Sequence, residues 1–384
     1  MHVLAALLLA AAPHPLERTG FDQLYNLDYR AATATSTELA RQEPASPAGP
    51  HYLASVLWLE ELTRRGAMAG ETFQSARYWT RIRLEPVGRE LRESFARQVA
   101  ESLRRSRARL AASPADREAL YFAGATESVS SGFEATLNLS YFSAYLAARR
   151  ARQHHERLIE LDPTEADAYL VPGLFEYTIA TLPRSTKFLA FLLGSRGSKQ
   201  KGIEYLRRAA TLGERARWDA RLLLTVIQER EKRHAEALAG LAEFETRFPR
   251  NPLYPLERGW IELQQKDWPA ATAIFREVLS RHDRGEANFD RIGRPLLLLR
   301  LGESFLYAGD SGRAIEQFET ALRAPAGRPE VRATLHLRRG QAWDEQKERE
   351  RARADYLATI ELNVDRSSLA AARRYLKSPF SLTP

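Results

Sequence analysis

The chain has 384 residues, 44% of them apolar and 28% charged, with 21 Gly, 19 Pro and no Cys. That balance belongs to a folded globular chain, and the missing Cys excludes disulfides, thiolate metal sites and a cysteine nucleophile. The net charge of +8 comes from 57 basic and 49 acidic residues spread along the whole length, in ratios of 18 to 16 over 1–150, 17 to 14 over 151–250 and 22 to 19 over 251–384. No segment reads as a basic nucleic-acid domain.

In chain order, Met1 to Ala12 is an uncharged apolar run ending in small residues, which resembles a short secretory signal and gives the expectation of a periplasmic or secreted protein, cytoplasmic otherwise. Twelve residues are too few to span a bilayer as a helix, which takes roughly 20, so no transmembrane segment is expected. From Phe21 onward the apolar spacing is helical and scarcely any alternation suits a strand. The pattern predicts an N-terminal helix near Leu24–Gln42 and a helix over Tyr52–Arg65. An insertion follows over Ala67–Gly88, then a long Arg-rich helix over Arg89–Ala111 and a second interruption around Ser128–Ala135. Turns fall at Pro44, Ser113-Pro114-Ala115-Asp116, Asp162-Pro163, Phe248-Pro249 and Gly309-Asp310.

A further insertion at 182–201 carries Arg184, Lys187, Arg196, Lys199 and Lys201 with no acid, around the apolar run Phe188–Leu193. Its Gly194, Gly197 and Lys199 lack the spacing of a phosphate loop. A short extra helix with a basic solvated loop is the expectation. The Arg-rich helix spreads its arginines around its circumference, with Phe95 alone among them, and reads as a solvated surface. His154 and His155 are adjacent and diverge by about 100° on a helix, so they do not form a metal pair. His155 falls where a repeat would place an aromatic.

The C-terminal third repeats itself. Gly259, Gly302 and Gly340 are each followed by Ala at 12 residues (Ala271, Ala314, Ala352), by an aromatic at 16 (Phe275, Phe318, Tyr356) and by an aliphatic at 20. Small residues let paired helices approach closely, while the aromatics fill space toward the next pair. The unit Leu301, Gly302, Phe305, Gly309, Ala314, Phe318, Ala321 resembles the tetratricopeptide repeat (TPR) family, strongly over about 215–362 and less so upstream. The resemblance implies an all-α, right-handed solenoid of about seven helix pairs with insertions and a capping helix near Ser367–Leu376. The expected organisation is 1–19 signal and linker, 20–214 divergent repeats, and 215–384 clearer repeats with the cap.

In this family the first helix of each pair lines the groove. That places Trp260, Glu303 and Gln341 on it, with Leu263, Gln264, Leu306, Tyr307, Asp344 and Glu345 about one turn later. Aromatics would supply contact area and the acids would steer a basic ligand. The sequence therefore suggests a non-catalytic scaffold binding a protein or peptide, with no metal, no cofactor and no specific nucleic acid. The alternative is binding of an anion, acidic lipid or nucleic acid through Arg184, Lys187, Arg196, Lys199 and Lys201 together with the helix 89–109.

Overall fold

The computed structural model describes residues 13–67, 86–192, 194–325 and 328–382. The expected signal at 1–12 and most of the expected insertion at 67–88 lie outside them. Regular structure among the described residues is helical throughout, and no helix is long and apolar enough to cross a membrane. The described residues form two compact units, divided between Gly240 and Leu241.

The first unit contains α1 (Pro15–Tyr25), α2 (Tyr29–Gln42), α3 (Ala48–Arg64), α4 (Arg89–Ala112), α5 (Arg117–Thr136) and α6 (Tyr141–Leu161). It continues with α7 (Leu170–Thr181), α8 (Arg184–Leu192), α9 (Lys199–Leu212), α10 (Arg217–Arg230) and the first half of α11 (His234–Arg247). The single helix expected near Leu24–Gln42 is two helices. Leu27 breaks them apart with φ of 63°, and Asn26 caps α1 by donating its side-chain amide to the Asp22 carbonyl at 2.9 Å. The interruption expected at Ser128–Ala135 is absent, because α5 runs through it. Its small residues serve contact rather than a turn. A Cβ on Gly132 would lie 2.3 Å from the Trp58 ring of α3, and Ser131 donates to the Ala144 carbonyl of α6 at 2.8 Å.

The insertion at 182–201 forms α8 and a loop between the paired helices α7 and α9. Those two helices meet through facing glycines, since a Cβ on Gly202 would stand 2.8 Å from the Gly173 carbonyl oxygen. Gly197 of the loop presses on α7 in the same way, its Cβ position 2.4 Å from the Ala180 nitrogen.

The second unit holds the remainder of α11, then α12 (Leu253–Gln265), α13 (Trp268–Asp283), α14 (Arg294–Tyr307), α15 (Ser311–Arg323), α16 (Pro329–Glu345), α17 (Arg349–Leu362) and α18 (Arg366–Lys377). Here the repeat grid acquires a geometric cause. A Cβ on Gly259 would sit 2.5 Å from the Phe275 ring, on Gly302 2.3 Å from Phe318, and on Gly340 2.6 Å from Tyr356. Each aromatic thus lies on the glycine of its own pair, a closer role than filling space toward the next pair. All three rings are fully buried, as are Ala271, Ala314 and Ala352. Lys266 and Gly309 turn the chain in left-handed conformation, and Asp267 and Asp310 then cap α13 and α15 by accepting from the amides of Ala270 and Arg313. The helix pairs are TPR-like, and α18 covers the last of them where the capping helix was expected.

Candidate functional site

The residues expected on the groove lie on α12, α14 and α16, the first helices of the pairs in the second unit, and they differ in exposure. Trp260 and Tyr307 are half-buried and Gln264 is exposed. Leu263 and Leu306 turn into the hydrophobic core between pairs and offer no surface. Gln341 is buried, accepting from Arg338 Nη1 at 2.9 Å.

The carboxylates differ most from expectation. Glu303, 1% exposed, is held between Arg300 one turn before it and Arg338 of α16, whose Nε donates to it at 2.7 Å. Burial alone would push its carboxyl up, but the two guanidiniums bring it below the usual range. Arg300 also stacks 4.7 Å from the Trp260 ring centroid, and Arg338 stands 5.6 Å from that of Tyr307. Trp260, Arg300, Glu303, Arg338 and Tyr307 therefore form one continuous strip, with two cations to one anion. Glu303 is consumed by its neighbours and does not steer a basic ligand. The arginines were the residues the repeat register missed, although Arg300 stands at i−3 from Glu303, a spacing that signals a helical ion pair.

Asp344 and Glu345 are also occupied. Arg349 Nη1 donates to Asp344 at 2.8 Å, the Tyr356 hydroxyl donates to it at 2.7 Å, and the backbone amide of Phe380 at 2.8 Å. Glu345 accepts the amide of Leu382 at 2.6 Å. The Phe380 ring packs edge-on against Tyr375 at 5.3 Å. Residues 378–382, which follow α18 in non-helical form, thus lie against the last turn of α16 and are read by its two carboxylates.

In the first unit, the basic insertion is partly neutralised. Lys199 pairs with Glu231, and Lys201 approaches Glu176 at 3.6 Å. Glu176 accepts the Ser198 amide at 2.8 Å, so the loop amide that a phosphate would need is already used. Arg184, Lys187 and Arg196 have no acidic partner among the described residues, and Lys187 donates to the Ala180 carbonyl at 3.0 Å. The Arg-rich α4 is stitched to its surroundings: Arg105 reaches Glu101 and the Ser46 carbonyl, and Arg109 reaches Asp116 and Glu118.

A second cluster escaped sequence reasoning because its members are far apart in the chain. Glu17 of α1 receives Arg215 Nε at 2.9 Å, and Tyr25 donates to Asp219 of α10. Burial pushes the Asp219 carboxyl up to about 6, against the pull of the Tyr25 hydroxyl, and drives the Tyr52 and Tyr121 hydroxyls well above their ordinary range. Asp167 accepts the amides of Arg215 and Ala216 at 3.1 and 3.0 Å. A cavity of about 680 Å³ opens beside this cluster, lined by His14, Glu17, Arg18, Arg109, Glu118 and Arg215 among others. Glu17, Asp167 and Asp219 each spend a carboxylate on fastening one element to another, so the cluster anchors α1. His155 is structural too. Its ring fills the space over Gly124 and lies between the Tyr121 and Ala168 carbonyls at 3.0 and 3.1 Å. His282, at the end of α13, pairs with its neighbour Asp283 at 3.0 Å. Among the described residues no group of three or more His, Asp or Glu is arranged to hold a metal.

No family model and no curated sequence matches the chain. Among solved structures it is similar to a human IFIT1 dimer with m7Gppp-AAAA, at 14% identity and a TM-score of 0.47 over 94% of this chain and 84% of that one. It is also similar to Pseudomonas aeruginosa pilF, at 15% identity and 0.40 over 65% of this chain and 98% of that one. For yeast Tom70 the figures are 10% and 0.39 over 94% and 89%.

Proposed function

We infer that the chain is a non-catalytic scaffold that binds an extended segment of a partner protein along the first helices of the second unit. The observation that carries this reading is residues 378–382. A non-helical stretch lies against the last turn of α16, its amides bonded to Asp344 and Glu345 and its one aromatic ring seated on Tyr375 of α18, which supports the reading that these helix ends accept extended chain. Continuing from there, the half-buried Tyr307 and Trp260 supply aromatic area and the partly exposed Arg338 adds cationic charge, which suit a segment with aromatic and acidic side chains. A peptide library selected on the purified chain should yield binders of that composition. The double change Trp260→Ala and Tyr307→Ala should weaken them by about tenfold or more, the range for interface anchors. Selected peptides that bind the folded double variant as well as the parent would place the site elsewhere.

The apolar run at 1–12 supports export to the cell envelope as part of the same proposal. Fractionation of the native host tests it, and an intact Met1 in the cytoplasm would refute it.

A further inference from the structure

The first unit carries exposed apolar side chains on α6 and α8. Phe142 is 65% exposed at the start of α6, with Leu146 one turn on and Leu139 and Tyr141 beside it. Phe191 and Leu192 at the end of α8 are 48% and 63% exposed. The two groups are joined. The Tyr145 hydroxyl, between Phe142 and Leu146 on α6, shares a hydrogen bond of 2.8 Å with Ser195 in the loop after α8. Tyr145 also packs with Phe175, Ile179 and Leu182, which lead directly into α8.

Cations border this patch. Arg184, Lys187 and Arg196 lie on α8 and its loop without acidic partners among the described residues, the Arg196 guanidinium resting 5.2 Å from the Phe191 ring centroid and the Lys187 ammonium donating to the Ala180 carbonyl at 3.0 Å. Arg149 stands one turn beyond Leu146 on α6 and is also exposed. The acid nearest in sequence to Leu139, Glu134, is engaged by the Asn138 amide at 3.0 Å. Exposed aromatic and aliphatic side chains with unneutralised Lys and Arg at their edge are the composition of a surface that seats at a lipid headgroup boundary. A single-stranded nucleic acid would want rings aligned in a basic groove, whereas aliphatic side chains make up half of this patch.

We propose that the α6 start and the α8 loop form a membrane-surface docking site, specific for anionic lipid, with Phe142, Phe191 and Leu192 entering the interface and Arg184, Lys187 and Arg196 contacting headgroup phosphates. The site is separate from the peptide face of the second unit, and either reading can fail alone. The full chain should co-sediment with phosphatidylglycerol-containing phosphatidylcholine vesicles and not with pure phosphatidylcholine, and should be released as salt rises from about 0.1 to about 1 M. The triple variant Arg184→Gln, Lys187→Gln, Arg196→Gln should lower partitioning by roughly 100-fold, at about fivefold per cation. Phe142→Ser with Leu192→Ser keeps every charge and should lower it by about tenfold or more. All these positions are exposed, and circular dichroism of each variant checks that it is folded. Equal binding to neutral vesicles, no binding to anionic ones, or retention by either folded variant overturns the proposal. So does a loss confined to binding of single-stranded RNA, with vesicle binding unchanged.

Discussion

At the level of single residues, the molecule relies on glycines placed under aromatic rings. Adding one methyl at Gly302 would drive a Cβ to 2.3 Å from Phe318, and neither the ring nor the packed helices have room to move aside. Gly302→Ala should therefore cost about 1–3 kcal/mol in chemical denaturation, the usual range for overpacking. Gly312→Ala, where the nearest atom is 3.7 Å away, is the control and should be close to neutral. These glycines were legible in the sequence because they recur at a fixed spacing from Ala and an aromatic. Glu303 was legible as a position and not as a chemistry: its partner Arg338 lies 35 residues away, and no periodicity reports which guanidinium closes on which carboxylate.

Two buried histidines give the first unit a pH dependence. Burial holds His51 down to about 3 and His155 down to about 4, while the unfolded chain titrates near 6.5. Below 6.5 the unfolded state binds protons that the folded state refuses, so their contribution is full above that pH and is lost as pH falls toward 4 and 3. Asp219, Asp167 and Glu165, all raised by burial, work in the opposite sense over part of that range and soften the slope. Replacing His155 by Gln should flatten the fall in melting temperature between pH 6.5 and pH 4, measured by scanning calorimetry.

At the level of elements, two helices at the ends of the described chain are fastened by specific polar contacts as well as by apolar packing. Helix α18 hangs on Arg349, which bridges Asp344 of α16 and the carbonyls of Tyr375 and Leu376 at 2.7 and 2.9 Å. Arg349→Ala should leave α16 and α17 protected from hydrogen exchange and increase exchange selectively in α18 and in residues 378–382. Helix α1 depends in the same way on Arg215 and Asp219. Its fastening was illegible from the sequence because Glu17 and Arg215 are separated by 198 positions, and neither belongs to the repeat grid. The serine and glycine run of α5 misled for a related reason: composition alone does not tell a turn from a seam where two helices touch. Gly132 is a seam, and Trp58 is what it touches.

For the whole molecule, the two units differ in what they bury. Both bury carboxylates matched with guanidinium groups, at Glu17 in the first and at Glu303, Asp344 and Asp355 in the second, but the first also buries His51 and His155, which burial holds neutral. Repeat arrays unfold by neighbouring segments rather than always at once. Mild acid near pH 4.5 should accordingly open the first unit ahead of the second, seen as faster exchange in α3, α5 and α6 than in α14 and α16. Equal rates in the two sets would show that the histidines do not govern the order.

The glycine under each ring also bears on how such a chain can drift in sequence. A mutation at either member of a pair, Gly302 with Phe318 for example, changes the space available to the other, so the two positions are free to change only in concert: a bulkier residue below demands a smaller one above. Descendants of this chain are expected to keep or exchange these couples sixteen positions apart while the exposed turns between them diverge without restraint. A search for distant kin through that linked spacing would follow the physical constraint more faithfully than one scoring each position alone.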